Sequence, residues 1–143
     1  MKKKINLKQY KSIIKKIPIL CVDVIIKNHN DEYLLLKRNN NPLKSNWWIP
    51  GGRVFQSEKI FDAVKRKVFE EIGLELKYFK QYGIFESVFS SNSFETNTIY
   101  HTVSIVFMTK VKNNIKIKLC NQSSEWKWAK NLPKKLELNL ICL

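Results

Sequence analysis

Acidic residues are scarce in this chain, with 12 Asp and Glu against 26 Lys and Arg in 143 residues and a formal charge of +14. No acidic tail interrupts the chain, and that imbalance raises the question of nucleic acid. The lysines, however, are spread along the chain and are not gathered with aromatic residues, which argues against a dedicated nucleic-acid surface. Glycine and proline are also few, four of each. No Ser/Gly/Pro-rich linker or repeat divides the chain, so a single domain is expected over 1–143, large enough to bury a sizeable core. Cys21, Cys120 and Cys142 are odd in number and lack metal or redox spacing, which points to free thiols in a reducing cytoplasm. Long hydrophobic runs are missing too. The opening MKKKINLKQYKSIIKKIPILC is charged and then apolar, like a targeting signal, but the run is short and Asp23 interrupts its continuation. A core strand is therefore expected there, and nothing approaches transmembrane length, so no membrane partner is expected.

What the chain does have is concentrated between Gly52 and Leu74, GRVFQSEKIFDAVKRKVFEEIGL. Pro50-Gly51-Gly52 reads as a tight turn whose glycines let backbone approach a ligand. Ser57 is a candidate N-cap, with Glu58 in the first helical turn. Ile60, Val64, Val68 and Ile72 recur every fourth residue and mark a buried stripe. At roughly 100° per residue, Arg66, Lys67, Glu70 and Glu71 fall on the other side within about 140°. Gly73 ends the helix. Two adjacent carboxylates on such a helix are ordinarily a solvated face. A Gly-Gly segment upstream could instead deliver a backbone carbonyl to the same point, and hard Mg²⁺ takes such oxygens together with substrate phosphates.

The remaining pattern places this segment. Ile5, Leu7, Tyr10, Ile13 and Ile14 among the lysines of 5–15 predict an amphipathic helix. Strands are expected at Ile17–Ile26, Tyr33–Arg38, Leu76–Val88 and Ile99–Val111, the last two as a hairpin across Ser90–Asn97. Asn39–Pro42 reads as a loop. Glu125–Trp128 is expected as the last strand and Leu132–Leu140 as a closing helix. Strands on both sides of one amphipathic helix predict a mixed-sheet α/β/α sandwich, not a doubly wound sheet.

The segment fits G-x5-E-x7-R-x-U-x-E-E-x-G-U, where U is bulky and apolar, and so resembles a Nudix box with Lys67 in place of its third glutamate. The resemblance implies the Nudix fold and Mg²⁺-dependent (or Mn²⁺-dependent) cleavage of a nucleoside diphosphate derivative. It narrows to the GDP-mannose mannosyl hydrolases, through LLLKRNNNP, NWWIPGGRV, QYGIF, YHTVSIVF and NQSSEWKW. That group also lacks the glutamate after the box arginine. It implies a nucleotide-sugar substrate, release of GDP and free hexose by C–O cleavage, a link to polysaccharide biosynthesis, and a dimer. The apolar face of the first helix needs either the chain's own core or a second subunit. By this resemblance the Gly51 carbonyl, Glu71 and Gln122 bind the metal, and Glu70 adds a ligand or holds a ligating water. Arg38 and Arg53 stabilise the departing diphosphate, unless they are merely solvated ends of a strand and a turn. Asp23 lies near the nucleotide, and a basic surface attracts such a ligand. Glu58 and Arg66 read as a structural ion pair.

Two departures bear on mechanism. Ser123 stands where the group has its general-base histidine, and Ser87 where it has a second histidine. A serine accepts no proton usefully at neutral pH without another base. Glu125 is the nearest downstream carboxylate, and either faces inward as a substitute base or faces solvent on an edge strand. His101 is either the group's hairpin histidine or a packing residue. Three functions stay open: a nucleotide-sugar glycosyl hydrolase, a pyrophosphohydrolase cutting P–O–P, and a non-catalytic nucleotide-sugar-binding accessory protein.

Overall fold

A computed structural model describes residues 5–40, 43–91 and 98–143. The chain forms helix α1 (Leu7–Ile14), strands β1 (Ile19–Lys27), β2 (Tyr33–Arg38), β3 (Trp47–Trp48) and β4 (Gly51–Arg53), and helix α2 (Ile60–Ile72). Strands β5 (Lys80–Ser91), β6 (Thr98–Lys110) and β7 (Ser123–Ala129), helix α3 (Lys134–Asn139) and strand β8 (Leu140–Cys142) follow. The main sheet runs β3-β2-β1-β6-β5-β8, with β4 on β1 and β7 on β2. β1 and β6 are parallel over Ile19–Lys27, and the remaining ladders are antiparallel, so the sheet is mixed as expected.

Alternation along the strands creates two cores. One face of the sheet carries Val22, Val24, Ile26, Leu34, Leu36 and Phe107 against Ala63, Val64, Val68 and Ile72 of α2. At about 1.5–3 kcal/mol for each fully buried aliphatic side chain, this stripe fixes α2 far more firmly than helix propensity does. The other face carries Ile25, Leu35, Phe85 and Val106 against Trp48, Ile49, Leu132 and Leu136, the last from α3. Helices therefore cover both faces, giving the α/β/α sandwich.

Several local expectations change. Ser57 is not the helix cap. Its φ is +61°, inside a turn closed when the Phe55 N–H donates to Glu58 Oε2 at 2.8 Å, and α2 starts two residues later after Lys59. Glu58 therefore precedes the helix, and Asp62 is the acid of its first turn. Gly51 and Gly52 are extended, not turned: β4 pairs Gly51 with Asp23, Gly52 with Val22 and Arg53 with Cys21. β5 begins at Lys80, four residues later than read. β7 is not last, because the short β8 pairs Gly83, Ile84 and Phe85 behind a trimmed α3. Gly73 does terminate α2, in the left-handed region at φ +71°. Of the polar connections, Asn41, Pro42 and residues 92–97 lie outside the described residues.

Candidate functional site

β1 has two neighbours on one side, β4 beside Cys21–Asp23 and β2 beside Lys27. Where these two diverge, Leu36, Arg38, Asn40, Trp48, Ile49, Glu71, Gln122 and Ser123 surround a cavity of about 10 Å³, the room of one water or one ion. The loops forming its rim are tied together: Asn39 N–H donates to the Gln122 carbonyl at 2.8 Å, and Asn39 Nδ2 to the Asn121 carbonyl at 3.0 Å. Glu71, Gln122 and Arg38, far apart in sequence, thus meet at one cavity, whereas Gly51 is not among its walls.

Glu71 sits in the last turn of α2 with its side chain 9% exposed. It accepts from Lys67 Nζ at 2.8 Å and from the Gly51 backbone N–H. Burial nonetheless pushes its carboxyl above the usual range, against the pull of Lys67, Arg38 and that amide. Asp23 lies beside it on β1. Burial pushes the Asp23 carboxyl up to about 6, opposed by a hydrogen bond with Ser104, reinforced by the charge of Glu71, and opposed again by Arg38 and Lys67. Gly51 is glycine for a steric reason, because a Cβ there would overlap Asp23 Oδ1 and come within 2.6 Å of the Val22 carbonyl. Its neighbour Gly52 makes room for Lys67, whose Cε would be 2.7 Å from an added Cβ.

Glu70 is 45% exposed and bonds Arg66 Nη1 at 3.0 Å and Lys67 Nζ at 3.3 Å, and it is not among the cavity walls. Arg53 is not among them either. Its guanidinium lies over the Tyr10 ring at 4.4 Å, and Tyr10 Oη bonds Tyr100 Oη at 2.9 Å, so α1 holds this arginine. Glu58 and Arg66 form the expected structural pair, with Nε–Oε1 at 2.7 Å and Nη2–Oε2 at 2.9 Å, while Nη2 also reaches the Arg53 carbonyl.

Glu125 does not reach the cavity. Its Oε1 is 2.7 Å from Lys37 Nζ and the side chain is 55% exposed. The cause is a register shift between Lys37 and Arg38: Arg38 pairs with Ser123 and Lys37 with Glu125, leaving Ser124 between them. Cross-strand partners share a face, so this bulge separates Ser123 from Glu125. The solvent-facing alternative for Glu125 is the one realised. Ser87 Oγ bonds Thr102 Oγ1 at 2.8 Å in the interior, and His101 Nε2 is 2.7 Å from Glu86 Oε1 at the surface.

The donor set fits a small hard cation, with the Glu71 carboxylate and the Gln122 amide on one ion-sized cavity. Among the described residues there is no group of three His, Cys, Asp or Glu. One carboxylate and one amide suit Mg²⁺, an ion that keeps waters and takes phosphate oxygens. Sequence reasoning missed the Lys67–Glu71 pair and the role of Tyr10 under Arg53. The first carried an i,i+4 signal, and the second carried none.

Glu71 of α2 and Gln122 thus meet at one ion-sized cavity beside a mixed sheet held between helices. Residues 18–131 match the NUDIX domain model, and the chain belongs to the Nudix family. It is 30% identical over 99 residues to the low-salt glycan biosynthesis protein Agl8 of Haloferax volcanii, covering 69% of this chain and 63% of that protein. It is 37% identical over 109 residues to an ADP-ribose pyrophosphatase of Methanocaldococcus jannaschii, covering 76% of this chain and 59% of that one. The chain thus spans about three-fifths of each of these relatives. Among solved structures, a MutT protein of Methanosarcina mazei superposes with a TM-score of 0.66 at 27% identity, over 80% of this chain and 78% of that one. A MutT Nudix hydrolase of Burkholderia pseudomallei has a TM-score of 0.71 at 20% identity, over 87% and 96%, and supports the fold. No helix among the described residues is long and apolar enough to cross a membrane.

Proposed function

We propose that this chain is a Mg²⁺-dependent Nudix hydrolase of a nucleotide sugar, GDP-mannose-like, which releases GDP and free hexose by C–O cleavage. The observation carrying this reading is the meeting of Glu71, Gln122 and Arg38 on one cavity, with the glycan-biosynthesis relative as support for the sugar. Glu71, Gln122 and the Gly51 carbonyl would hold Mg²⁺ or Mn²⁺, which would supply positive charge to a bound diphosphate. The cavity is too small for a nucleotide, so the substrate lies outside it, across exposed Asn40 and Gln122. Arg38 on the rim then meets the charge that grows on the departing diphosphate, a setting in which a guanidinium fork is effective. Arg53, seated on Tyr10, and buried Asp23 line no part of this cavity, and their diphosphate and nucleotide roles rest on the family resemblance alone. Among the described residues, the cavity offers Ser123, and Glu125 is engaged by Lys37.

The ADP-ribose pyrophosphatase relative favours a second reading, attack at phosphorus to give two monophosphate products. Incubation with Mg²⁺ and GDP-mannose in ¹⁸O water, beside ADP-ribose and other nucleotide sugars, separates the two. GDP with label in free sugar supports C–O cleavage, whereas sugar phosphate with label on phosphorus replaces it by the second reading. Saturable Mg²⁺-dependent binding with no product in either series would overturn both.

A further inference from the structure

Lys67 has the least expected surroundings of any charged residue at this site. Its side chain is 7% exposed, yet it belongs to the helix side that the sequence assigns to solvent. β4 covers that side, and Gly52 has no Cβ, so the lysine stem runs beneath the strand. The ammonium ends 2.8 Å from Glu71 Oε1 and 3.3 Å from Glu70 Oε2. The chain therefore carries its own cation on the carboxylate assigned to the metal.

We infer that Lys67 is a tethered competitor for the metal position, handed from Glu71 to Glu70 when a divalent cation binds, and that it sets this site's metal affinity. This rests on the metal-site reading above. The physical case is electrostatic. Two cations cannot share the Glu71 carboxylate without strong repulsion, and the repulsion is worse in a site with little water. A partner for the displaced ammonium is already in place, because Glu70 Oε2 is within reach of the same Nζ and is itself oriented by Arg66 Nη1 at 3.0 Å. Glu70 is then a positioning residue acting through Lys67, not a ligand. Without a metal ion, the ammonium offsets the cost of burying the Glu71 carboxylate.

The test is titration with Mn²⁺ alone, without nucleotide, reading free Mn²⁺ by electron paramagnetic resonance. Lys67→Gln keeps an amide donor and should bind Mn²⁺ at least about tenfold more tightly than the natural chain, since one repelling charge is gone. Equal or weaker binding by a folded Lys67→Gln overturns the inference. Adding Glu70→Gln should weaken binding in the natural background and change it little in the Lys67→Gln background. Equal weakening in both backgrounds makes Glu70 a direct ligand and overturns the hand-off. If Lys67→Gln does not fold, labelling the natural chain with acetic anhydride decides the matter by mass spectrometry. Mn²⁺ should raise Lys67 acetylation severalfold as the ammonium leaves Glu71, and an unchanged or lower rate overturns the inference. Mg²⁺-dependent hydrolysis by a chain whose Lys67→Gln variant gains no affinity would sink this inference alone. Loss of the metal-dependent reading would show instead in the product assay.

Discussion

Asp23→Asn gives the sharpest check on how this site is built. Burial lifts the Asp23 carboxyl from its ordinary 3.8 to about 6. At about 1.4 kcal/mol per pH unit, keeping it ionised in the folded chain costs about 3 kcal/mol. Between pH 4 and pH 6 the native state holds a proton that the unfolded chain has already lost. Stability from this group therefore falls as pH rises through that window, and levels off above about pH 6. Asparagine has nearly the same shape beside Gly51, keeps an oxygen for Ser104, and does not titrate. Urea unfolding in EDTA at intervals from pH 4 to 7 should show Asp23→Asn gaining on the natural chain, by up to about 3 kcal/mol, with a slope near 1.4 kcal/mol per pH unit. Other groups titrate in both proteins and cancel in the difference, apart from neighbouring Glu71. Parallel curves would refute the reasoning. A gain that grows toward low pH would mean that Arg38 and Lys67 outweigh burial.

Arg66→Ala removes a bidentate partner from Glu58, whose side chain is only 5% exposed, and should cost about 3 kcal/mol in urea unfolding. Lysine should not rescue it, because it has no planar fork, and a loss below about 1 kcal/mol would contradict the pairing. Leu136→Ala empties a fully buried position under α3 and should cost about 2–5 kcal/mol by thermal or urea unfolding. The thiols should alkylate in a fixed order at pH 8, read by peptide mass spectrometry: exposed Cys142 first, Cys120 next and Cys21 only on unfolding. Burial and the neighbouring Asp23 push the Cys21 thiol up to about 12; early labelling of Cys21 would show an open β1–β4 edge.

Much of this was legible in the sequence because it depends on neighbours along the chain. The four-residue apolar spacing fixes α2, Gly73 fixes where it ends, and the apolar run YLLLKR gives β2 at the bounds read from it. The box pattern names the family, since its offsets reflect one loop and one helix. The charged pair Glu58–Arg66 also follows from that pattern.

Other features depend on what a segment meets only after folding. Pro50-Gly51-Gly52 reads as a turn by composition, but β1 has unpaired backbone beside Cys21–Asp23 and draws Gly51 and Gly52 into a strand. That strand covers the polar side of α2 and converts Lys67 and Glu71 from a solvated face into a buried pair. A single register shift beside Arg38 directs Ser123 to the cavity and Glu125 to Lys37, which no spacing rule within β7 contains. The sequence by itself determined the helices, most strands, the family and the residue types available for a metal and a diphosphate, because those are local. Which carboxylate is buried, which cation it already holds and which side of a strand faces the cavity were decided by tertiary structure, because burial and register are set by segments distant in sequence.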